Sequence, residues 1–198
     1  MTSFWHAWNK DIYESNYYEP REAVVNRKKK IPKSKDFEHY ESVLTDIMNK
    51  NSEVLKKNGF MILTFNNNNF RSWISILFSI CKAGFEIDPD KLHFQPGVKN
   101  YKQTAHTISQ GTVHGDFVLF FRNEKKQQKK NVVLSEEVLG SIRGTLGKVV
   151  KNQSLSSEDF HDEFVSYYRR LLPDLWSYLS SIDQCTTIEE ITSNLLVD

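Results

Sequence analysis

Four consecutive asparagines, Asn66 to Asn69, separate the apolar run FMILTF from the segment FRSWISILFSICK. A carboxamide offers a donor and an acceptor side by side, so it can pair bidentately with the edge of an adenine. It can equally accept the free N–H groups at the start of a helix or close a tight turn against nearby backbone. Position separates the two uses. In open α/β sheets ligands sit outside the carboxyl ends of the strands, and Asn66 and Asn67 follow such an end directly, which makes them the candidate substrate-binding residues. Asn68 and Asn69 lie nearer the helix, and Asn69 is the expected cap.

A second group of residues could hold a phosphate backbone. Six of the ten residues from Asn26 to Lys35 are basic, with Arg27, Lys28, Lys29 and Lys30 contiguous, and a further run spans Lys125 to Lys130. Such runs are commonly solvated loops, and they also suit counterion-releasing contacts with nucleic acid. The remaining chemistry-bearing residues are scattered. Six histidines show no metal-ligand spacing, which predicts no metal site. Cys81 and Cys185 are far apart and sit in helical patterns, which excludes a CxxC motif or a disulfide framework and fits a reducing, cytoplasmic setting. No nucleophile elbow is present, the glycines of GSIRGTLG fall in a helical stripe, and no Gly-rich turn follows an apolar strand. The sequence therefore nominates no catalytic residue.

The elements that must position these groups follow from periodicity. Phe37, Tyr40, Leu44, Ile47, Met48, Val54 and Leu55 recur at threes and fours between Asp36 and Asn58, which predicts a helix with Gly59 beyond its end. FMILTF, apolar throughout and of strand length, predicts a strand buried on both faces, as in a parallel sheet. Phe70, Trp73, Ile74, Leu77, Phe78 and Cys81 mark a second helix closed by Gly84, and helix, strand, helix in that order predicts a doubly wound α/β layer. FEIDPDKLHF reads as a strand with a turn at Asp88 and Pro89, and GDFVLFFRN as another strand. The segment QPGVKNYKQTAHTISQGTVH between them is polar and long enough to be functional. Trp5, Trp8 and Ile12 predict a short amphipathic helix near Met1.

The 198 residues are enough to bury a substantial core. Charge divides the chain: residues 1–135 hold 21 basic against 14 acidic side chains, residues 136–198 hold 5 against 11, so the net charge changes sign between them and the two regions are expected to do different jobs. Leu139, Ile142, Leu146 and Val149 form one helical stripe; Phe160, Phe164, Tyr167, Tyr168 and Leu171 form another, capped by Ser156 or Ser157. The expected organisation is an α/β unit over 1–123, a basic linker over 124–134 and a helical appendage over 135–198. No apolar stretch reaches the roughly 20 residues that a membrane helix needs, so neither export nor a membrane partner is expected.

Taken together, SFWHAW, EVLKKNGFMILTFNNNN, FRSWISILFSICKAGFEI and QGTVHGDFVLFFRN resemble consecutive pieces of the adenine-specific DNA methylases, in the branch that carries a TFHHK…AW…L…AGF stretch. The resemblance covers roughly residues 3–123. It implies a partial Rossmann-like methyltransferase sheet in which Phe60 to Phe65 is the fifth strand, Asn69 to Gly84 the following helix, and Phe85 to Phe94 with Gly115 to Arg122 the closing hairpin. In that family the cofactor is S-adenosylmethionine, and an Asp/Asn-Pro-Pro-Tyr/Phe tetrapeptide carries the chemistry shortly before a segment like Ser3 to Trp8. The five prolines here are all isolated, so the resemblance implies that this chain begins just after that tetrapeptide. It implies a C-terminal portion that binds no cofactor alone, and DNA and a complementary N-terminal half as partners. Asn66 and Asn67 stand where the family has two histidines. The alternative is a non-catalytic module whose basic loops bind DNA and whose acidic tail binds a protein.

Overall fold

The computed structural model describes residues 22–25, 35–67, 69–96, 115–125, 136–151 and 157–196. Helix α1 (Phe37–Val54) starts at Asp36, whose side chain accepts the His39 N–H as an N-cap. A turn through Asn58, held at a positive φ of 64°, leads to β1 (Phe60–Phe65). Next come α2 (Phe70–Lys82), β2 (Phe85–Ile87), a 3₁₀ turn over Pro89–Lys91, β3 (His93–Pro96) and β4 (Gly115–Asn123). Three helices complete the described part: α3 (Glu136–Lys151), α4 (Ser157–Ser181) and α5 (Ile188–Leu195). The expected N-terminal helix at Trp5, Trp8 and Ile12, and the polar segment 97–114, lie outside the described residues.

The fold is α/β with a small four-stranded sheet, and β4 is its spine. β1 and β2 flank β4 in the order β1-β4-β2, β3 pairs with β4 as well, and every pairing is antiparallel. This corrects the expectation of a parallel, doubly wound layer with β1 buried on both faces. Met61, Leu63 and Phe65 turn toward the core, while Phe60 and Ile62 are 51 % and 59 % exposed. The apolar run misled because periodicity cannot tell a strand covered on two faces from an edge strand whose outer face is also apolar.

The core lies on the other face, around α2. Trp73, Ile74, Leu77, Phe78 and Ile80 are fully buried, packed between α1, α4, α5 and the sheet. A helix enclosed in this way must satisfy its own hydroxyls. Ser75 Oγ donates to Arg71 O (2.8 Å), and Ser79 Oγ to Ser75 O (2.8 Å) and to Glu41 O on α1 (3.0 Å). The Glu41 carboxylate, itself buried, meets Lys82 Nζ at 3.1 Å and accepts the Thr45 hydroxyl at 2.6 Å.

The helical segment after residue 135 shares this core. Tyr168 of α4 lies with its ring centroid 5.0 Å from that of Trp73 and 5.7 Å from that of Phe117, and Trp176 lies 5.5 Å from Phe121. The Trp176 indole donates to Glu86 Oε1 at 2.8 Å. Burial pushes the Tyr168 phenol pKa up, as an enclosed hydroxyl requires. At α5, Glu38 of α1 accepts the Ile188 and Glu189 N–H groups, both at 3.1 Å, while Thr187 and Glu190 form a capping box. One hydrophobic cluster runs from Leu44 through Phe121 to Leu195.

Asn123 closes the opposite end of the sheet. Its fully buried side chain donates to Ser52 O (2.8 Å) and Leu55 O (3.2 Å) and accepts from Ser52 Oγ (3.1 Å), so one amide answers the carbonyls at the C-terminus of α1. Replacing it with alanine strands those carbonyls. Asn123→Ala is expected to lower stability by on the order of 3 kcal/mol in chemical denaturation with an unchanged slope.

Candidate functional site

The asparagine run sits where the sequence places it, at the carboxyl end of β1 and the start of α2. Its amides divide into distinct tasks. Asn66 Nδ2 donates across the sheet to Gly115 O at 2.6 Å, fixing the end of β1 to the beginning of β4. Asn67 Oδ1 accepts the Asn69 N–H at 2.8 Å, an Asx-type turn, and its carbonyl accepts the indole N–H of Trp73 at 2.7 Å. Asn69 is the N-cap of α2, with an extended backbone (φ −92°, ψ 115°) and its Oδ1 accepting from Arg71 N at 2.9 Å. Asn68 lies outside the described residues.

The bonds described at Asn66 and Asn67 are structural, and both residues stay half-buried at the rim rather than inside the core. The amides are therefore held in place by the groups they bond, with Trp73 locking the Asn67 carbonyl from below. Sequence reasoning missed the two residues that do this holding. Gly115 adopts φ +137°, and a side chain there would run into the Gln95 carbonyl and the Phe94 ring, so only glycine lets β3, β4 and the asparagine turn meet. An isolated glycine at the entry to an apolar strand was the available signal.

The neighbouring surface belongs to the start of α1. Arg71, on the first turn of α2, holds its guanidinium 5.9 Å from the Phe37 ring centroid. His39 Nε2 and Lys35 Nζ both reach Glu22 O, at 3.2 and 3.4 Å, so the short segment Glu22–Val25 lies against that same end of the molecule. Arg27, Lys28, Lys29 and Lys30 themselves lie outside the described residues; the segments before and after them, 22–25 and Lys35, meet at the start of α1. The second basic run leaves from the other end. Lys125 donates its N–H to Asn123 Oδ1, beside the C-terminus of α1. The attachment points of the two runs are thus separated by roughly the 27 Å length of an 18-residue helix.

Among the described residues no group of His, Cys, Asp and Glu is arranged to hold a metal ion, and no described helix is long and apolar enough to cross a membrane. Cys81 is buried on α2, and its thiol pKa is pushed up to about 12, chiefly by burial and secondarily by the Glu86 carboxylate, with Lys82 opposing. It stays protonated at neutral pH and fills space. Cys185 is exposed after α4.

Two measurements follow. Asn69→Ala and Asn67→Ala are each expected to cost about 0.5–2 kcal/mol in thermal or chemical denaturation, the range for a lost cap or local side-chain bond at a helix start. Brief treatment of the native chain with a maleimide at neutral pH should modify Cys185 and leave Cys81 unreacted until denaturant is added, as read by mass spectrometry.

Comparison of the chain with protein-family models, with curated proteins and with solved structures found no match.

Proposed function

We propose that this chain is the C-terminal portion of a DNA adenine-N6 methyltransferase, inactive alone and completed by a separate N-terminal half. The single observation that carries the reading is the succession of elements. Of the quoted segments, SFWHAW lies outside the described residues; the described parts of the other three fall in order on α1 and β1, on α2 and β2, and on β4, and β4 returns antiparallel between β1 and β2. A strand, its following helix and a closing hairpin are what the sequence resemblance calls for. β1 is left with no strand on its other side among the described residues, where a larger sheet would continue.

On this reading S-adenosylmethionine supplies the methyl group in the whole enzyme. The turn after β1 holds four asparagines and no glycine-rich cradle, so the groups that hold the cofactor belong to the other half. This chain's contribution is to position DNA. Asn66 and Asn67 would present the rim facing a flipped adenine or its flanking backbone, kept rigid by Gly115 and Trp73. Arg27, Lys28, Lys29 and Lys30 would neutralise phosphates of the same duplex.

A methyl-transfer assay with radiolabelled S-adenosylmethionine and adenine-containing duplex DNA tests this. The chain alone is expected to show neither incorporation nor saturable micromolar cofactor binding. Supplying the polypeptide encoded by the adjoining upstream reading frame should restore incorporation, and Asn66→Ala should reduce it per folded molecule. Micromolar cofactor binding by the chain alone, or no incorporation with any upstream partner, overturns the proposal.

A further inference from the structure

The free side of β1 has a definite hydrogen-bonding character that its ladder with β4 reveals. Asn123 N donates to Gly59 O at 2.8 Å and Asn123 O accepts from Asn58 N at 2.7 Å, so Asn123 directs both backbone groups at β1. Asp88 N donates to Phe120 O at 2.8 Å, so Phe120 directs its carbonyl the other way, at β2. Backbone groups in an antiparallel ladder alternate sides residue by residue. With Phe60 opposite Arg122 and Ile62 opposite Phe120, the N–H and C=O groups of Phe60, Ile62 and Thr64 point away from β4. Among the described residues no strand meets them.

Edge strands in folded monomers are usually blunted by a charge, a proline or a bulge within the strand. FMILTF contains no charge and no proline, and its outer-face side chains Phe60 and Ile62 stand more than half exposed. The same outer face continues onto β4 through the partly exposed Val118 and Phe120.

We propose that β1 pairs with β1 of a second copy of this chain, antiparallel about a two-fold axis, with Ile62 opposite Ile62. This register is the one that matches every outward-facing residue: Phe60 meets Thr64 of the other copy, Ile62 meets Ile62, and Thr64 meets Phe60. It closes about six backbone hydrogen bonds. The two four-stranded sheets become one continuous sheet, and the exposed Ile62 side chains pack against each other across the axis. Charge permits it, because the lysine before the strand, Lys57, is brought opposite the neutral Asn67 rather than another cation. The isologous contact is self-complementary and closed, so it stops at two chains. The inference comes from the ladder and burial of β1 in the chain by itself; under the methyltransferase reading the N-terminal half would take the same edge in place of the second copy.

Sedimentation equilibrium on the full chain, together with disulfide trapping, tests the pairing. The wild type is expected to be dimeric at micromolar concentration. Ile62→Lys, which sets two ammonium groups opposite each other at an edge where the side chain is not needed for the core, should raise the dissociation constant by about tenfold or more with an unchanged melting transition of the monomer. In a Cys185→Ser background, Ile62→Cys should form an intermolecular disulfide under mild oxidation, since directly opposed residues in a hydrogen-bonded pair stand about 5.5 Å apart at Cα. A wild-type chain that stays monomeric overturns the proposal, including the case in which slow deuterium exchange at Ile62 shows that another segment of the same chain covers the edge. A dimer indifferent to Ile62→Lys and giving no Ile62→Cys cross-link overturns it equally.

Discussion

The indole of Trp73 joins the parts of this molecule that its other contacts merely extend. The residue is fully buried, with the Phe65 ring centroid at 4.7 Å, Phe117 at 5.4 Å and Tyr168 at 5.0 Å. Those three rings come from β1, β4 and α4, and Trp73 itself from α2. Its one polar atom is answered by the Asn67 carbonyl, so the ring can be enclosed without an orphaned donor. Edge-to-face packing with Phe65 and Phe117 sets the distance from helix to sheet. The hydrogen bond sets where the chain turns between β1 and α2. Remove either requirement and the rim that carries the asparagines loses its floor.

That arrangement explains how a polar rim and a dense core coexist within a few residues. The asparagine side chains do not compete with the core for space, because each bond described for their amides runs along the top of it: Asn66 to Gly115, Asn67 to the Asn69 amide, Asn69 to the Arg71 amide. The proposed role in positioning DNA draws on that rigidity more than on any unusual electrostatics. An amide whose rotamer is fixed loses little entropy on meeting a base. The basic segment that would accompany it attaches at the start of α1.

Much of the secondary structure was legible locally. The α1 and α2 periodicities, the cap at Asn69, the FMILTF strand, the turn at Asp88 and Pro89 and the GDFVLFFRN strand are all encoded within a few residues of where they form. Strand pairing was not legible, because β1 meets β4 across about 55 residues and nothing in FMILTF records which of its faces is covered. The packing of the later helices was equally hidden. Their charge and stripes suggested an appendage, whereas Tyr168 and Trp176 close over Phe117 and Phe121, contacts that only the folded chain defines. At the candidate site, the place of Asn66 and Asn67 after the end of β1 was legible. The grip of Gly115 and Trp73 on them was not, since both depend on side-chain directions in three dimensions.

The link between Glu38 and the first turn of α5 bears on the timing of folding. Ile188, Ile191 and Leu195 are fully enclosed, and the carboxylate that receives the Ile188 and Glu189 amides lies 150 residues earlier in the chain. During synthesis α1, α2 and the four described strands leave the ribosome well before the segment that seals their far side, so an incomplete chain presents the α5-facing surfaces of α1 and α2 to solvent. At translation rates of roughly 5–20 residues per second, the stretch between Asn123 and Leu195 takes about 4–15 s to arrive. For that interval those surfaces stay uncovered, and sealing them requires a long-range contact rather than the growth of any local element.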